Sequence, residues 1–161
     1  MIILKVYIEK GKSEETEVYV YYKKMDKETK DLIDYVNQRI QTVVGYQNDR
    51  IHRILIKDIY YIEYVDEKTF LYLDHDVYLS HKKLYEWEKL LEESSFIRIN
   101  KSTILNIHYL KSVRPLLSGR MEAKLMNGEH LIINRHYLSA FRKSLAYRRS
   151  CMKIIYSDGF D

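Results

Sequence analysis

The sequence predicts a mostly β domain with helices, an α+β fold, preceded by a small β-β-α segment. The 16 tyrosines favour this class, because tyrosine prefers half-buried strand surfaces where its ring packs and its hydroxyl stays hydrated. From residue 52 onward, short runs of strand-forming residues alternate with turn signals. The length of 161 residues and the apolar content of 46% allow one domain of ordinary size with a smaller attachment.

The β-β-α segment is predicted over residues 1–46. Residues 2–9 alternate weakly, and residues 17–22 are their expected hairpin partner. Asp26 is a candidate helix N-cap, apolar residues follow at helical spacing, and Gly45 is the expected helix stop. Because so small a core is marginal, we expect the segment to dock on the remainder of the chain and to serve regulation or assembly.

The middle of the chain predicts short strands and one helix. The strands are expected over residues 53–56, 59–64, 69–73 and 76–79. Ser80 is the expected cap of the helix, which turns its acidic residues to solvent. The residues predicted to be buried on its other side are Leu84, Trp87, Leu90 and Leu91.

The last third of the chain predicts further strands and a final helix. An irregular or helical turn is expected over residues 101–106, and strands over 96–99, 108–115, 120–125 and 129–133. Ser118-Gly119 and Asn127-Gly128 mark the hairpin turns. The final helix begins near residues 135–137, and the residues that it buries are Tyr137, Leu138, Phe141 and Leu145. The predicted domain spans residues 47–147 and leaves a tail, residues 148–161, without a predicted role.

Positive charge is concentrated in the C-terminal third. Residues 96–149 contain eleven Lys or Arg against Glu122 and Glu129, which gives +9. Residues 1–95 contain fifteen Lys or Arg against nineteen acids, which gives −4. This asymmetry is typical of a nucleic-acid surface, because each phosphate that a cation neutralises releases condensed counterions. A solvated basic face would show the same balance, so charge alone leaves both alternatives open.

Residues 96–106 combine apolar positions with groups suited to phosphate oxygens and base edges. A strand followed by a sharp polar turn places Lys101 and Ser102 at a loop tip, where an ammonium and a hydroxyl can reach phosphate. Arg135 lies at the start of the final helix, and its guanidinium can contact guanine O6 and N7 together. Asn106 fits a turn-forming role better than a base-reading one.

Five blocks of the sequence together resemble a known family. They are Ile56 to Glu63, Leu84 to Glu88, Phe96 to Asn106, Asn127 to Glu129 and Ile133 to Tyr137. Their order and spacing are similar to those of a LytTR DNA-binding domain, over roughly Arg50 to Leu145. The resemblance implies short antiparallel β-sheets without a helix-turn-helix, which present loops to successive grooves of duplex DNA. It therefore implies a sequence-specific bacterial transcription regulator.

The resemblance also implies roles for single residues. The family's base-reading positions fall on Thr69, in the loop after Glu63, on Lys101 and on Arg135. Thr69 and Asn100 stand where some members carry histidine, which affects the expected operator sequence. The candidates for phosphate contact are Arg98 and Arg120, each with a solvated strand charge as its alternative, and Lys111 and Arg114 are weaker candidates.

The resemblance further implies partners beyond the DNA. Operators built as direct repeats could be filled by two copies, so a homodimer is expected at least on DNA. A short β-β-α segment before the domain resembles regulators that are paired with a small membrane-embedded inhibitory protein. The expected location is the cytoplasm, because no apolar run approaches the roughly 18 residues that span a membrane and Cys151 is the only cysteine.

Other function classes were weighed against DNA binding. An RNA-binding module is the nearest alternative, because tyrosines interleaved with basic residues can stack on unpaired bases. A protein-interaction module with an incidental basic face is another. The chain is predicted not to be an enzyme and to need no cofactor, since it lacks a Gly-x-Ser-x-Gly elbow, a phosphate-cradling glycine loop and a His-Glu-x-x-His motif. Its histidines lack the spacing of zinc ligands, so no metal is expected.

Overall fold

The computed structural model describes residues 20–92 and 94–151. The strand predicted over residues 2–9 and the first part of the one over 17–22 lie outside the described residues. Residues 20–22 are described and are not part of a strand. Most of the predicted tail, from residue 152 onward, also lies outside them.

Strands make up most of the described structure, which confirms the prediction of a mostly β fold with helices. The helices are α1 (Lys27–Ile40), α2 (Leu84–Leu90) and α3 (Leu138–Cys151). The strands are β1 (Thr42–Gln47), β2 (Arg50–Leu55), β3 (Tyr61–Val65), β4 (Lys68–Tyr72), β5 (Val77–Ser80), β6 (Phe96–Asn100), β7 (Thr103–Asn106), β8 (Leu110–Pro115), β9 (Met121–Leu125) and β10 (His130–Ile133). Single-turn 3-10 helices occupy Ile56–Asp58, Ile107–Tyr109, Leu117–Gly119 and Arg135–Tyr137.

The strands form two antiparallel sheets. The larger sheet has seven strands in the order β2-β1-β5-β4-β3-β7-β6, and the smaller one has three in the order β10-β9-β8. Most neighbours in space are neighbours in sequence, because tight turns join antiparallel strands. The exception that matters for the site is β6-β7, which is added to the larger sheet through the pairing of β7 with β3.

The larger sheet is the middle layer of the fold, because it carries a hydrophobic core on each face. Side chains alternate along a strand, so Tyr61 and Ile62 of β3 lie on opposite faces, as do Ile104 and Leu105 of β7. The core that contains Ile62 and Ile104 is closed by α2. The core on the other face joins the sheet to the smaller sheet and α3 through Ala123, Leu125, Ile133 and Phe141.

Helix α2 is fixed by Trp87, which is completely buried as predicted. Its indole Nε1 donates to Ser80 Oγ at 2.9 Å, which satisfies a polar group inside the core. The prediction that Ser80 caps the helix is wrong, because Ser80 ends β5 and the helix begins at Leu84. Leu90 was also wrongly predicted to be buried. It is 49% exposed because the helix ends there, whereas Leu91 is buried.

Helix α1 begins as predicted and ends earlier than predicted. Asp26 Oδ1 accepts hydrogen bonds from the backbone N-H of Thr29 at 2.9 Å and from its hydroxyl at 2.7 Å. These bonds lower the pKa of Asp26, because they favour its charged form. The helix ends at Ile40, so Gly45 is not its stop. The polypeptide from Thr42 to Gln47 is instead β1, which pairs with β2 across the Asn48-Asp49 turn.

Strand β1 lies across the division predicted between residues 46 and 47, and that division stays a prediction. The expected docking of α1 on the rest of the chain is observed. The Gln41 carbonyl accepts from the N-H of Ile56 at 3.0 Å, and the Tyr35 ring meets the His108 ring edge-on with centroids 5.3 Å apart.

The turn predicted over residues 101–106 is much shorter than expected. Only Lys101 and Ser102 form it, whereas Thr103–Asn106 is strand β7, buried along its whole length between β3 and β6. Ile104 packs in one core and Leu105 packs in the other, on opposite faces of the sheet. Because adjacent residues point to opposite faces in an extended strand, the segment is extended rather than helical.

Gly45 provides a stability test. A Cβ at this position would lie 2.3 Å from Ile54 Cδ1 and 2.8 Å from Tyr78 Cβ. We expect Gly45→Ala to lower the free energy of unfolding by about 1–3 kcal/mol through overpacking, measured by urea denaturation. The neighbouring Val44→Ala is the control, because Val44 is 50% exposed and its truncation should cost less than about 1 kcal/mol. Equal stability of Gly45→Ala and the parent chain would contradict this packing.

Candidate nucleic-acid interface

The turn between β6 and β7 presents Lys101 and is held by the side chain of Asn100. Asn100 Oδ1 accepts from the Ser102 N-H at 2.9 Å and from the Ser102 hydroxyl at 3.1 Å. The Asn100 Nδ2 donates to the carbonyl of Ile132 in β10 at 3.0 Å. Lys101 is exposed at the tip, while Ser102 is half-buried. The amide of Asn100 is thus committed to shaping the turn and to anchoring it to the smaller sheet.

The side chain of Arg98 braces the same turn by hydrogen bonds to its backbone. Its Nε donates to the carbonyl of Asn100 at 2.8 Å, its Nη2 donates to the carbonyl of Lys101, and its Nη1 pairs with Glu88 Oε2 at 2.9 Å. The side chain is 22% exposed. Since three of its donors already have protein acceptors, Arg98 links the turn to α2. This arrangement differs from the solvated strand charge that was the alternative for Arg98, and its phosphate contact stays a prediction.

The hairpin of β3 and β4 lies beside the β6-β7 turn. The Tyr64 N-H donates to the carbonyl of Ser102 at 2.8 Å. Thr69 was expected in a loop, but it lies within β4, opposite Tyr64 on one side and Ser80 on the other. Its side chain is buried, at 4% exposure. The tight Asp66-Glu67 turn, with positive φ at both residues, is why the loop is shorter than expected.

Arg135 lies on the neighbouring side of the same surface. It opens the 3-10 helix Arg135–Tyr137, and the N-H of the preceding Asn134 donates to the carbonyl of Ile99 at 2.9 Å. Together with the bond from Asn100 to Ile132, this joins the end of β6 to the end of β10. Lys101 and Arg135 each follow directly after this junction. The structure therefore brings together the two exposed cations that the sequence had placed 34 positions apart.

Arg120 and Gly119 belong to the turn that approaches Arg135. The turn contains Ser118 and Gly119, both with positive φ, and closes with the Leu116 N-H donating to the Arg120 carbonyl at 2.9 Å. A Cβ on Gly119 would lie 3.3 Å from Arg135 Cδ, so the stem of Arg135 lies against this glycine. The predicted Ser118-Gly119 hairpin turn is confirmed, and Arg120 is exposed next to it.

The polar side chains of Asn106 and Arg114 form hydrogen bonds with other residues of the protein. Asn106 is 1% exposed, its Oδ1 accepts from the Ser95 hydroxyl at 2.8 Å, and its Nδ2 donates to the Ile59 carbonyl at 2.8 Å. The preference for a structural role is therefore confirmed. Arg114 Nε donates to Glu122 Oε1 at 2.8 Å, and this hydrogen bond lowers the pKa of Glu122 and raises that of Arg114.

Many of the tyrosines stack on other rings of the protein. Tyr60 and Tyr109 have centroids 3.8 Å apart, and Tyr61 and Tyr72 have centroids 4.3 Å apart. Burial raises the pKa of the Tyr61 hydroxyl. These rings use their faces for internal packing, which matches the prediction that tyrosine marks half-buried strands.

Two features are absent from the described part of the chain. Residues 20–92 and 94–151 contain no group of three or more His, Cys, Asp or Glu side chains arranged to hold a metal ion. No helix within these same ranges is both long and apolar enough to cross a membrane.

The fold and the exposed cations define a β-rich domain with a basic surface, of the class that binds nucleic acid. Strands separate α1, α2 and α3 in sequence, so the described residues contain no helix-turn-helix. The family model described as the LytTr DNA-binding domain matches residues 49–146. The chain belongs to this family.

Similar proteins are found among bacterial regulators. An uncharacterised HTH-type transcriptional regulator of Staphylococcus aureus strain MSSA476 is 28% identical over 138 residues, which cover 83% of this chain and 93% of that protein. The sensory transduction protein LytT of Bacillus anthracis is 29% identical over 90 residues, which cover 56% of this chain and 37% of that protein. The solved LytTr DNA-binding domain of a Bacillus cereus protein is 29% identical, with a TM-score of 0.62 over 65% of this chain and 95% of that one.

The positioning roles of Arg98 and Asn100 were not found from the sequence. Asn100 and its acceptor Ile132 are 32 residues apart, and the backbone carbonyls that Arg98 binds leave no trace in the side-chain pattern. Arg98 is only two residues before Asn100, which could have suggested a local contact. Its acidic partner Glu88 lies on the helix before the strand, where it was predicted to face solvent.

The brace formed by Arg98 can be tested by a change that keeps its charge. We expect Arg98→Lys to lower the free energy of unfolding by about 1–2 kcal/mol, because an ammonium cannot donate to the two carbonyls and Glu88 in the same geometry. Arg120→Lys is the matched control, since Arg120 is exposed and the same change should stay within about 0.5 kcal/mol. Both are measured by urea denaturation, and equal losses would argue against the brace.

Proposed function

We propose that this protein is a sequence-specific bacterial transcription regulator that binds duplex DNA through the turns of its β-rich domain. The observation that carries the proposal is the junction between β6 and β10, which presents Lys101 and Arg135 as exposed cations on one surface. Family membership and the regulators to which the chain is similar support the same function.

Each exposed group has a proposed role. Arg135 reads a guanine through its O6 and N7 acceptors, and Lys101 contacts a base edge or a phosphate from the neighbouring turn. Ser102 and Arg120 contact phosphate. Because an exposed cation on a braced turn loses little conformational freedom on binding, such a turn favours a defined contact over a diffuse one.

The remaining proposed site residues act through the shape of the surface. Arg98 and Asn100 fix the backbone that carries Lys101. Thr69 keeps its proposed place at a family base-reading position, but with 4% exposure it acts mainly through the shape of the β3-β4 hairpin, where it pairs with Tyr64. The DNA would then meet this hairpin first, before any contact with Thr69.

The stacking of several tyrosines on internal rings weakens the case for the RNA alternative. Recognition of unpaired RNA needs aromatic faces that are open to bases. Tyr60, Tyr61 and Tyr72 each stack on a neighbouring ring of the protein, whereas Tyr64 and Tyr85 are exposed. A protein-interaction module would not need Lys101 and Arg135 to be presented from one braced surface.

We also propose how the protein assembles on DNA and how it is regulated. Direct-repeat operators would be filled by two copies, so a homodimer forms at least on DNA. The segment that includes α1 serves regulation or assembly, with a small membrane-embedded inhibitory protein as its proposed partner. The docking of α1 against the Ile56–Asp58 turn and His108 supports a mechanical link between this segment and the domain. Selection of bound duplexes from a random pool would report the operator sequence and the half-site spacing together.

Arg135→Ala tests the proposed base contact. We expect it to weaken binding to the selected duplex by about 1–3 kcal/mol and to relax the preference at one base pair. Arg114→Ala is the control, because Arg114 is paired with Glu122 and should leave the preference unchanged. Affinities for selected and scrambled duplexes are measured by fluorescence anisotropy. An equal loss on both duplexes would make Arg135 a phosphate contact, and a wild-type protein that prefers neither would refute the proposed function.

A further inference from the structure

An open groove adjoins Arg135 along the first turns of α3. Its lining residues are Gly119, Arg135, Leu138, Ser139, Arg142 and Lys143. Three of the six are cations, one carries a hydroxyl, and none is acidic. Gly119 leaves one side of the groove without a side chain. A Cβ at this position would come close to the aliphatic part of the Arg135 side chain. The groove is therefore accessible to an extended anion from the solvent side.

The arrangement follows from the helical repeat. Leu138, Phe141 and Leu145 are spaced three and four residues apart, and they turn one face of α3 into the core that it shares with the smaller sheet. Arg142 and Lys143 lie three and four residues after Ser139, and all three are on the face that remains exposed. The packing of the helix thus determines that its cations extend the surface on which Arg135 lies.

The two cations of helix α3 that line the groove are Arg142 and Lys143. Among the residues that the structure describes, neither Arg142 nor Lys143 forms an ion pair with a carboxylate, whereas Arg98 and Arg114 both do. An exposed cation without an acidic partner keeps its full charge toward the solvent and attracts anions to the surface. Arg142 and Lys143 are therefore available to an external polyanion.

We propose that Ser139, Arg142 and Lys143 bind the phosphodiester backbone of DNA beside the base pair that Arg135 reads. This site rests on the proposed function and adds a contact to it. Arg142 is seven residues beyond Arg135, which is about 10 Å along a helix. A phosphate contact at this distance sets register and orientation and adds equal affinity to every sequence.

Salt dependence distinguishes this site from base reading. The double variant Arg142→Gln/Lys143→Gln removes two charges from the groove. We expect the slope of log affinity against log salt to become shallower by about 2, on selected and scrambled duplexes alike, with an unchanged ratio between them. Between 50 and 200 mM salt, the affinity of the wild type should then fall by about 10-fold more than that of the variant.

Two controls keep the result interpretable. Lys23→Gln/Lys24→Gln removes the same total charge from two adjacent exposed lysines outside residues 49–146, and it should leave the slope unchanged. Arg142→Lys keeps the charge and should also retain the slope, which separates loss of charge from loss of the arginine side chain. An unchanged ratio between selected and scrambled duplexes shows that the Gln variant has kept its fold. A wild-type slope in the groove variant, or a loss confined to the selected duplex, would overturn the phosphodiester site while leaving the proposed function intact. If the wild type showed no preference for any duplex, the proposed function would fail, and the slope on scrambled DNA would still decide the role of the groove.

Discussion

The hydrogen bonds between the ends of β6 and β10 are the constraint on which the arrangement of the surface depends. The Asn100 side chain reaches Ile132 at 3.0 Å, and the Asn134 backbone reaches Ile99 at 2.9 Å, so the last strand of the larger sheet is joined to an edge of the smaller one. These hydrogen bonds are directional, whereas the apolar contacts between the two sheets are not. The two hydrogen bonds fix the position of the turn after β6 relative to the turn after β10.

Charge and burial are divided between the layers of the fold. The face of the larger sheet under α2 is closed by Trp87 and its helix, whereas the opposite face is closed by the smaller sheet and by α3 with its exposed cations. On the α2 side, Glu88 pairs with Arg98 of β6. The exposed cations of α3 therefore lie on the side of the larger sheet that the smaller sheet covers.

Local sequence patterns predicted many of the strands, helices and turns, whereas the contacts between them are seen only in the structure. The strands after residue 52, the buried Trp87 and the Asn127-Gly128 turn could be identified because alternation, helical spacing and turn chemistry are local signals. Gly45 was misinterpreted because a glycine needed for close packing against Ile54 resembles one that stops a helix. The exposed Lys101 and Arg135 were anticipated, but the brace by Arg98 was not, since its acceptors are main-chain carbonyls.

Because Arg98 binds main-chain carbonyls, the side chain at position 101 of the turn is free to vary among domains of this kind. Arg98 and the Oδ1 of Asn100 bind main-chain groups of residues 100, 101 and 102, which every amino acid possesses. The geometry of the turn is consequently independent of the side chain at position 101. Lys101 could therefore be exchanged for another residue during evolution while the scaffold keeps its stability, without prior compensating mutations.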